Sequence, residues 1–349
     1  MLPDTAPIRD EERFDEDVVG DYLRSAIPEI DTPSRLEFAQ FHGGHANLTY
    51  VVRSNDLELV LRRPPLGEVA PGSHDMGREY RVLSALNKTY PLAPAAIHFC
   101  EDPSIMGKPF LVMERRSGTV IRRSWPDSLP DTKAARRRVG NSLVDAIAAL
   151  HGIDHLSVGL SDLGRPEGFV ARQVSGWTNR WDRARQDDIP DMEMLAASLA
   201  ENIPQPRRAS LIHNDFRLDN TMVDTDGKLV AVFDWDMSTI GDPLVDLGTT
   251  LAYWEGPAEA TLIVPADGQV LGNVFGVDHI IDKYENQTGL DCSNIDWYRA
   301  LASFRIAVIL QQIYIRFVRG QTTDQRFATF GAAVLPIAAQ GLRLLGVRR

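Results

Sequence analysis

The densest run of chemically capable side chains is His213-Asn214-Asp215-Phe216-Arg217-Leu218-Asp219-Asn220, followed by an apolar segment and Asp234-Trp235-Asp236. Asn220 lies five residues beyond Asp215 (220 − 215) and Asp234 nineteen beyond it (234 − 215). Phosphoryl transfer is chiefly positioning and charge neutralisation. It needs a carboxylate near the incoming hydroxyl and hard oxygen ligands for Mg2+, such as carboxylates and an amide. Asp215, Asn220 and Asp234 supply that inventory. Upstream, His42-Gly43-Gly44-His45-Ala46-Asn47 joins two apolar runs, and glycines there let backbone N–H groups approach phosphates. Leu59-Val60-Leu61-Arg62 places Val60 and Arg62 on one strand face by the period of two.

The elements that must position these residues fall into two groups. Leu36–Phe41, Leu48–Val52, Leu57–Leu61 and Pro109–Met113 read as strands, and Gly77–Leu86 as a helix with Tyr80, Leu83 and Leu86 at spacings of three. Beyond about Gly118 the pattern turns helical. Lys133–Leu150 and Ala300–Phe317 carry apolar stripes, and the short apolar segments Ala209–His213 and Leu229–Phe233 each run into an acid-rich loop. Residues 10–27 read as an amphipathic helix ended by Pro28 and Pro33.

The order His-x-Asp-x-x-x-x-Asn, Asp-Trp-Asp, then Gly241-Asp242-Pro243-x-x-Asp246-Leu247 resembles the aminoglycoside phosphotransferase/choline kinase family. That resemblance implies an α+β, two-lobed, protein-kinase-like fold. Residues 1–35 would form an acidic arm, 36–116 a small antiparallel-sheet lobe for the nucleotide, and 117–349 a larger helical lobe with the catalytic and acceptor sites. It also implies ATP and Mg2+ as cofactors and direct in-line transfer to a small-molecule hydroxyl. By the same resemblance Asp215 is the base, His213 braces its loop, and Asn220 and Asp234 are metal ligands. Gly43, Gly44 and Asn47 belong to the phosphate-covering loop, where many relatives have Ser in place of Ala46. Arg62 stands where the family has Lys, with Glu79 as its ion-pair partner. Met113 lies in the hinge strand expected to meet the adenine. Asp236 is ambiguous between a structural and a metal role. Asp242-Pro243 reads as a helix N-cap with proline at the first position, which makes Asp242 and Asp246 architectural.

Composition sets the outer bounds. The 349 residues carry 37 Lys+Arg against 48 Asp+Glu, a net charge of −11, which argues against nucleic acid as a partner. Residues 1–35 hold ten acids and four arginines, a net of −6, leaving −5 for the rest. Cys100 and Cys292 are too few for a disulfide framework or zinc site, so a reducing, cytoplasmic setting is expected. No leader peptide is read, and no apolar run reads as a membrane span. Residues 115–138 contain eight Lys/Arg and two Asp, a local net of +6. That stretch, and a resemblance of Leu160–Trp181 to the kinase-like branch fused elsewhere to acyl-CoA dehydrogenases, make a hydroxyacyl-CoA or related metabolite a candidate acceptor. An aminoglycoside-modifying kinase, with Asp187, Asp188, Asp191 and Glu193 meeting the polycation, is one alternative. A nucleotide-binding pseudokinase or interaction module is the other. Oligomeric state is not legible.

Overall fold

The computed structural model describes residues 4–30, 34–41, 47–55, 57–67, 74–322 and 324–347. The chain divides into two compact units. One comprises Met1–Gly118, Val158–Leu160 and Val230–Ser238; the other comprises Thr119–Ser157, Ser161–Leu229 and Thr239–Arg349.

The first unit is built on six strands: β1 (Thr5–Ala6), β2 (Glu37–Phe41), β3 (Leu48–Ser54), β4 (Leu57–Arg63), β5 (Ala96–Cys100) and β6 (Phe110–Glu114). They form one antiparallel sheet in the order β1-β2-β3-β4-β6-β5. Val60 of β4 faces Val51 of β3 on one side and Met113 of β6 on the other. Helix α1 (Glu16–Ala26) starts at Asp15, whose carboxylate accepts from the N–H groups of Asp17 and Val18. It therefore begins six residues later than the amphipathic pattern suggested, after a 3-10 turn at Asp10–Glu12. Val19 and Leu23 of α1 are buried with Leu48, Tyr50, Leu61 and Phe110, each such side chain contributing roughly 1.5–3 kcal/mol.

The described residues among the first 35 are thus built into this unit, and two of them form its first strand. Thr5 and Ala6 pair with Phe41 and Gln40. The buried Arg63 guanidinium donates to the Glu12 carbonyl at 2.6 Å, the Tyr50 hydroxyl at 3.0 Å and the Met106 carbonyl at 2.6 Å. Helix α2 (Met76–Leu86), capped by Asp75, turns Glu79, Val82, Leu83 and Leu86 inward. A short helix α3 (Pro103–Met106) precedes β6.

The second unit contains α4 (Lys133–His151), α5 (Phe169–Ala184), α6 (Pro190–Glu201), β7 (Ser210–Ile212), β8 (Thr221–Val223), the first residue of β9 (Leu229–Val232, whose other three residues belong to the first unit) and β10 (Thr239–Gly241). It continues with α7 (Pro243–Trp254), α8 (Asp267–Val270), α9 (Val277–Thr288), α10 (Ile295–Val318) and α11 (Val334–Leu344). β7 and β10 pair antiparallel, Ile212 opposite Thr239. α10 packs against α5, α6, α7 and α11. At Gly248 the α7–α10 approach is so close that a Cβ would lie 2.7 Å from the Tyr298 carbonyl, so only glycine fits.

Two helical segments bear on the expectation that no apolar run is a membrane span. α10 has 24 residues, and Gln325–Leu344 has 20; both are long and apolar enough to cross a bilayer by length and composition. α10 nonetheless buries Arg299, Arg305 and Gln311 among its apolar side chains and packs against four helices. It is a core helix of the second unit, apolar on every side because it is covered on most sides.

Candidate active site

In the first unit, the segment 230–238 is seated by Trp235. The indole is fully buried, stands edge-on to Tyr90 at 5.8 Å and donates to the Val232 carbonyl at 2.8 Å. The Val232 N–H in turn donates to the Leu92 carbonyl. This fixes Asp234, which adopts a left-handed backbone with φ 68°, a conformation that costs energy in most residues and that Asp tolerates.

Arg62, at the end of β4, lies between two carboxylates. It donates to Glu79 Oε1 at 2.6 Å and pairs with Asp234 Oδ1. Both Arg62 and Glu79 are buried. Burial opposes the charge on Arg62, but Asp234 and Glu79 outweigh it and raise the guanidinium pKa above its ordinary value. Burial pushes the Glu79 carboxyl up to about 7 despite Arg62. Glu79 Oε1 also accepts from the Trp235 N–H at 3.4 Å, while Oε2 has no hydrogen-bond partner among the described residues.

Asp236 has its own setting in this unit. It accepts from Asn47 Nδ2 at 3.1 Å; the Asn47 side-chain oxygen meets His74 Nδ1 at 2.9 Å, and that ring nitrogen is 3.8 Å from Asp236. Burial, then the charge of Asp234, pushes the Asp236 carboxyl up. Asp236 is therefore a buried link to Asn47 and His74, the latter not anticipated from sequence. Met113 is buried on β6, between Val60 of β4 and Ala96 of β5. Gly43, Gly44 and Ala46 lie outside the described residues.

In the second unit, the loop after β7 carries Asp215. Asp246, at the start of α7, accepts from the His213 N–H at 2.6 Å and the Asn214 N–H at 2.5 Å. It also lies 3.2 Å from His151 Nε2, whose other ring nitrogen is 2.7 Å from the Tyr284 hydroxyl. A carboxylate only accepts, so Nε2 carries the proton and Nδ1 accepts from Tyr284. From the other side, Arg305 of α10 donates to the Asn214 carbonyl at 3.0 Å and to its side-chain oxygen at 2.9 Å. The peptide just before Asp215 is thus gripped at its N–H groups by Asp246 and at its carbonyl by Arg305, with Asn214 left-handed at φ 70°.

The His213 ring is fully buried and accepts the Asp215 N–H at 3.3 Å. Asn220, in a 3-10 turn at Leu218–Asn220, donates through Nδ2 to the Asp215 carbonyl and to Asp215 Oδ2, each at 2.9 Å. The Leu218 N–H goes to the buried Asp267, whose carboxyl burial pushes up to about 7. The Thr250 hydroxyl donates to the Phe216 carbonyl. Asp242 caps α7 and accepts from Tyr298 at 2.6 Å, an architectural role. The same label undersells Asp246, which acts directly on the loop.

Arg305, His151 and Asp267 escaped the sequence reading. The one signal for Arg305 was a guanidinium in an apolar helix. The basic stretch 115–138 also looks different in three dimensions. Arg115 pairs with Glu58 and, at 3.1 Å, with Asp4, and Arg116 with Glu114 at 3.0 Å. Arg136 pairs with Asp131 at 2.8 Å, and Arg123, Arg137 and Arg138 donate to backbone carbonyls. Six of its eight cations are thus committed locally, which leaves little of the run for phosphates. Of the acids weighed for a polycation, Glu193 is paired with Arg185 at 3.1 Å.

A model of the phosphotransferase enzyme family matches residues 37–269. The chain is 32% identical over 357 residues to acyl-CoA dehydrogenase family member 11 of Gallus gallus, covering 98% of this chain and 45% of that one. It is 33% identical over 329 residues to acyl-CoA dehydrogenase family member 10 of Mus musculus, covering 93% and 30%. It therefore spans less than half the length of these curated relatives. A Ralstonia eutropha crystal structure named as a candidate aminoglycoside phosphotransferase superposes with a TM-score of 0.80 at 31% identity, over 96% of this chain and 99% of that one. The aminoglycoside phosphotransferase APH(4)-Ia, solved with AMP-PNP and hygromycin B, gives a TM-score of 0.60 at 16% identity over 93% and 98%, a likeness of fold. With the family match spanning about two thirds of its residues and the fold shared with these kinase-like enzymes, the chain belongs to the phosphotransferase enzyme family.

Proposed function

We propose that the protein transfers the γ-phosphoryl group of ATP, with Mg2+, to the hydroxyl of a small molecule. The observation that carries this reading is the buried Arg62 held between Glu79 and Asp234. Glu79 fixes the guanidinium at the end of β4, and engagement of Asp234 by a metal would free the other side of Arg62 for a phosphate. Asp215, in the doubly gripped loop, accepts the proton of the incoming hydroxyl. The hydroxyl oxygen then attacks the γ-phosphorus as the bond to the β–γ bridging oxygen breaks, and ADP leaves carrying that electron pair. No side chain forms a phosphoenzyme in this scheme.

Each proposed Mg2+ ligand carries a hard oxygen of the kind that ion takes: Asp234, in the first unit, a carboxylate, and Asn220, in the second, the side-chain oxygen of an amide whose nitrogen donates to Asp215. When bound, the metal would neutralise phosphate charge.

The names of the 32–33% identical relatives support a hydroxyacyl-CoA or related metabolite as acceptor over an aminoglycoside. Two buried free cysteines support a reducing, cytoplasmic setting. A second reading, nucleotide binding without transfer, draws on the direct Arg62–Asp234 pair, because Arg62 competes with a metal for that carboxylate. Phosphorus NMR with Mg-ATP across acyl-CoA, amino-alcohol, sugar and aminoglycoside pools decides between them. A new phosphoester resonance with ADP supports transfer and names the class. ATP binding by calorimetry with no product in any pool supports the second reading. Unchanged antibiotic susceptibility on overexpression counts against an aminoglycoside acceptor.

A further inference from the structure

We propose that the second unit carries an anion subsite for the acceptor, formed by Arg305 and Arg180 on the indole of Trp177, so that the molecule presenting its hydroxyl to Asp215 bears a carboxylate or phosphate. This rests on Asp215 being the acceptor-facing base. Trp177 of α5 is 5% exposed. The Arg180 guanidinium lies 4.3 Å from its ring centroid and the Arg305 guanidinium 5.4 Å. Two cations on one aromatic ring repel each other, and neither has a carboxylate within ion-pair distance among the described residues.

Arg305 is 5% exposed. Its contacts are the two oxygens of Asn214 and, at 3.5 Å, the Thr249 hydroxyl. Those use three of its five N–H donors. Arg180 is exposed and makes no hydrogen bond among the described residues. Burial pulls the Arg305 pKa down even though Asp215 and Asp246 act in the other direction. A buried, under-neutralised guanidinium with spare donors, hydrogen-bonded to the residue next to Asp215, is stabilised by an incoming anion. A polycationic acceptor would be repelled there.

The test is calorimetric binding without ATP, using two pairs of probes: glycerol 3-phosphate against glycerol, and 3-hydroxybutyrate against 3-hydroxybutyramide. The expected result is at least about tenfold tighter binding of one anionic member than its neutral counterpart, from one charge-assisted contact. The pair that shows it distinguishes phosphate from carboxylate. Arg180→Gln, at an exposed position, should reduce that preference by about tenfold, and Asp215→Asn, which removes a negative charge acting on Arg305, should keep or strengthen it. Equal binding within both pairs overturns the proposal. So does a preference unchanged in both Arg180→Gln and Arg305→Lys. No anion preference with Mg-ATP turnover intact removes the subsite alone. An anion preference with no transfer to any acceptor removes the phosphotransfer reading alone.

Discussion

Asp246→Asn perturbs the loop that carries Asp215 with the smallest possible change in shape. In the native protein one carboxylate serves three donors: the N–H groups of His213 and Asn214, and His151 Nε2–H. Oδ2 takes His213 and His151, and Oδ1 takes Asn214. An amide has one accepting oxygen and one donating nitrogen. Oriented with its oxygen at the Oδ2 position, it serves two donors and turns its NH2 toward the Asn214 N–H. Flipped, it fails two. Even the better orientation removes the acceptor of the half-buried Asn214 N–H and weakens two charge-assisted bonds, a cost of about 2–4 kcal/mol. For a unit of this size that is a melting point lower by on the order of 10 °C. The assay is thermal unfolding followed by circular dichroism, with turnover measured well below the transition. kcat should fall by up to about a hundredfold, since a misplaced loop shifts the reacting carboxylate by a fraction of an ångström or more. A variant that melts with the wild type and turns over normally would refute the claim that Asp246 holds this loop.

Two other positions in the second unit are open to the same kind of measurement. Gly248→Ala forces α7 and α10 apart at the Tyr298 carbonyl, and should destabilise by about 1–3 kcal/mol in urea titrations. Asp267 is a carboxyl raised by burial from 3.8 to about 7, so the folded protein holds a proton that the unfolded chain releases. Its contribution is fully present below the ordinary value and is lost as pH rises to about 7. Asp267→Asn keeps an acceptor for the Leu218 N–H, so its urea midpoint should vary less between pH 5 and pH 8 and exceed the wild-type midpoint at pH 8.

Much of the candidate site was legible because it is written in contiguous text. His213 to Asn220 and Asp234 to Asp236 are local motifs, and Arg62 and Glu79 sit on elements whose periodicity is plain. The strands β3 and β4 run two residues longer than their apolar cores suggest, because Arg53–Ser54 and Arg62–Arg63 complete the ladder. β1 was invisible for the opposite reason: two residues have no periodicity, and only pairing with β2 makes them a strand. The fate of the basic stretch was equally hidden. Arg137 and Arg138 find carbonyls at Val274 and Asp226, distant in sequence. Arg305 illustrates the same limit. Its helix reads as apolar packing, and only the tertiary fold shows the guanidinium buried against Asn214 and Trp177.

In the proposed transfer Asp215 is the base. The direct measurement is phosphorus NMR of Mg-ATP with the best acceptor, comparing wild type with Asp215→Asn after calorimetry has shown that both bind ATP. A phosphoester and ADP are expected from the wild type, and neither from the variant beyond spontaneous hydrolysis. Product formation by Asp215→Asn at the wild-type rate would contradict it.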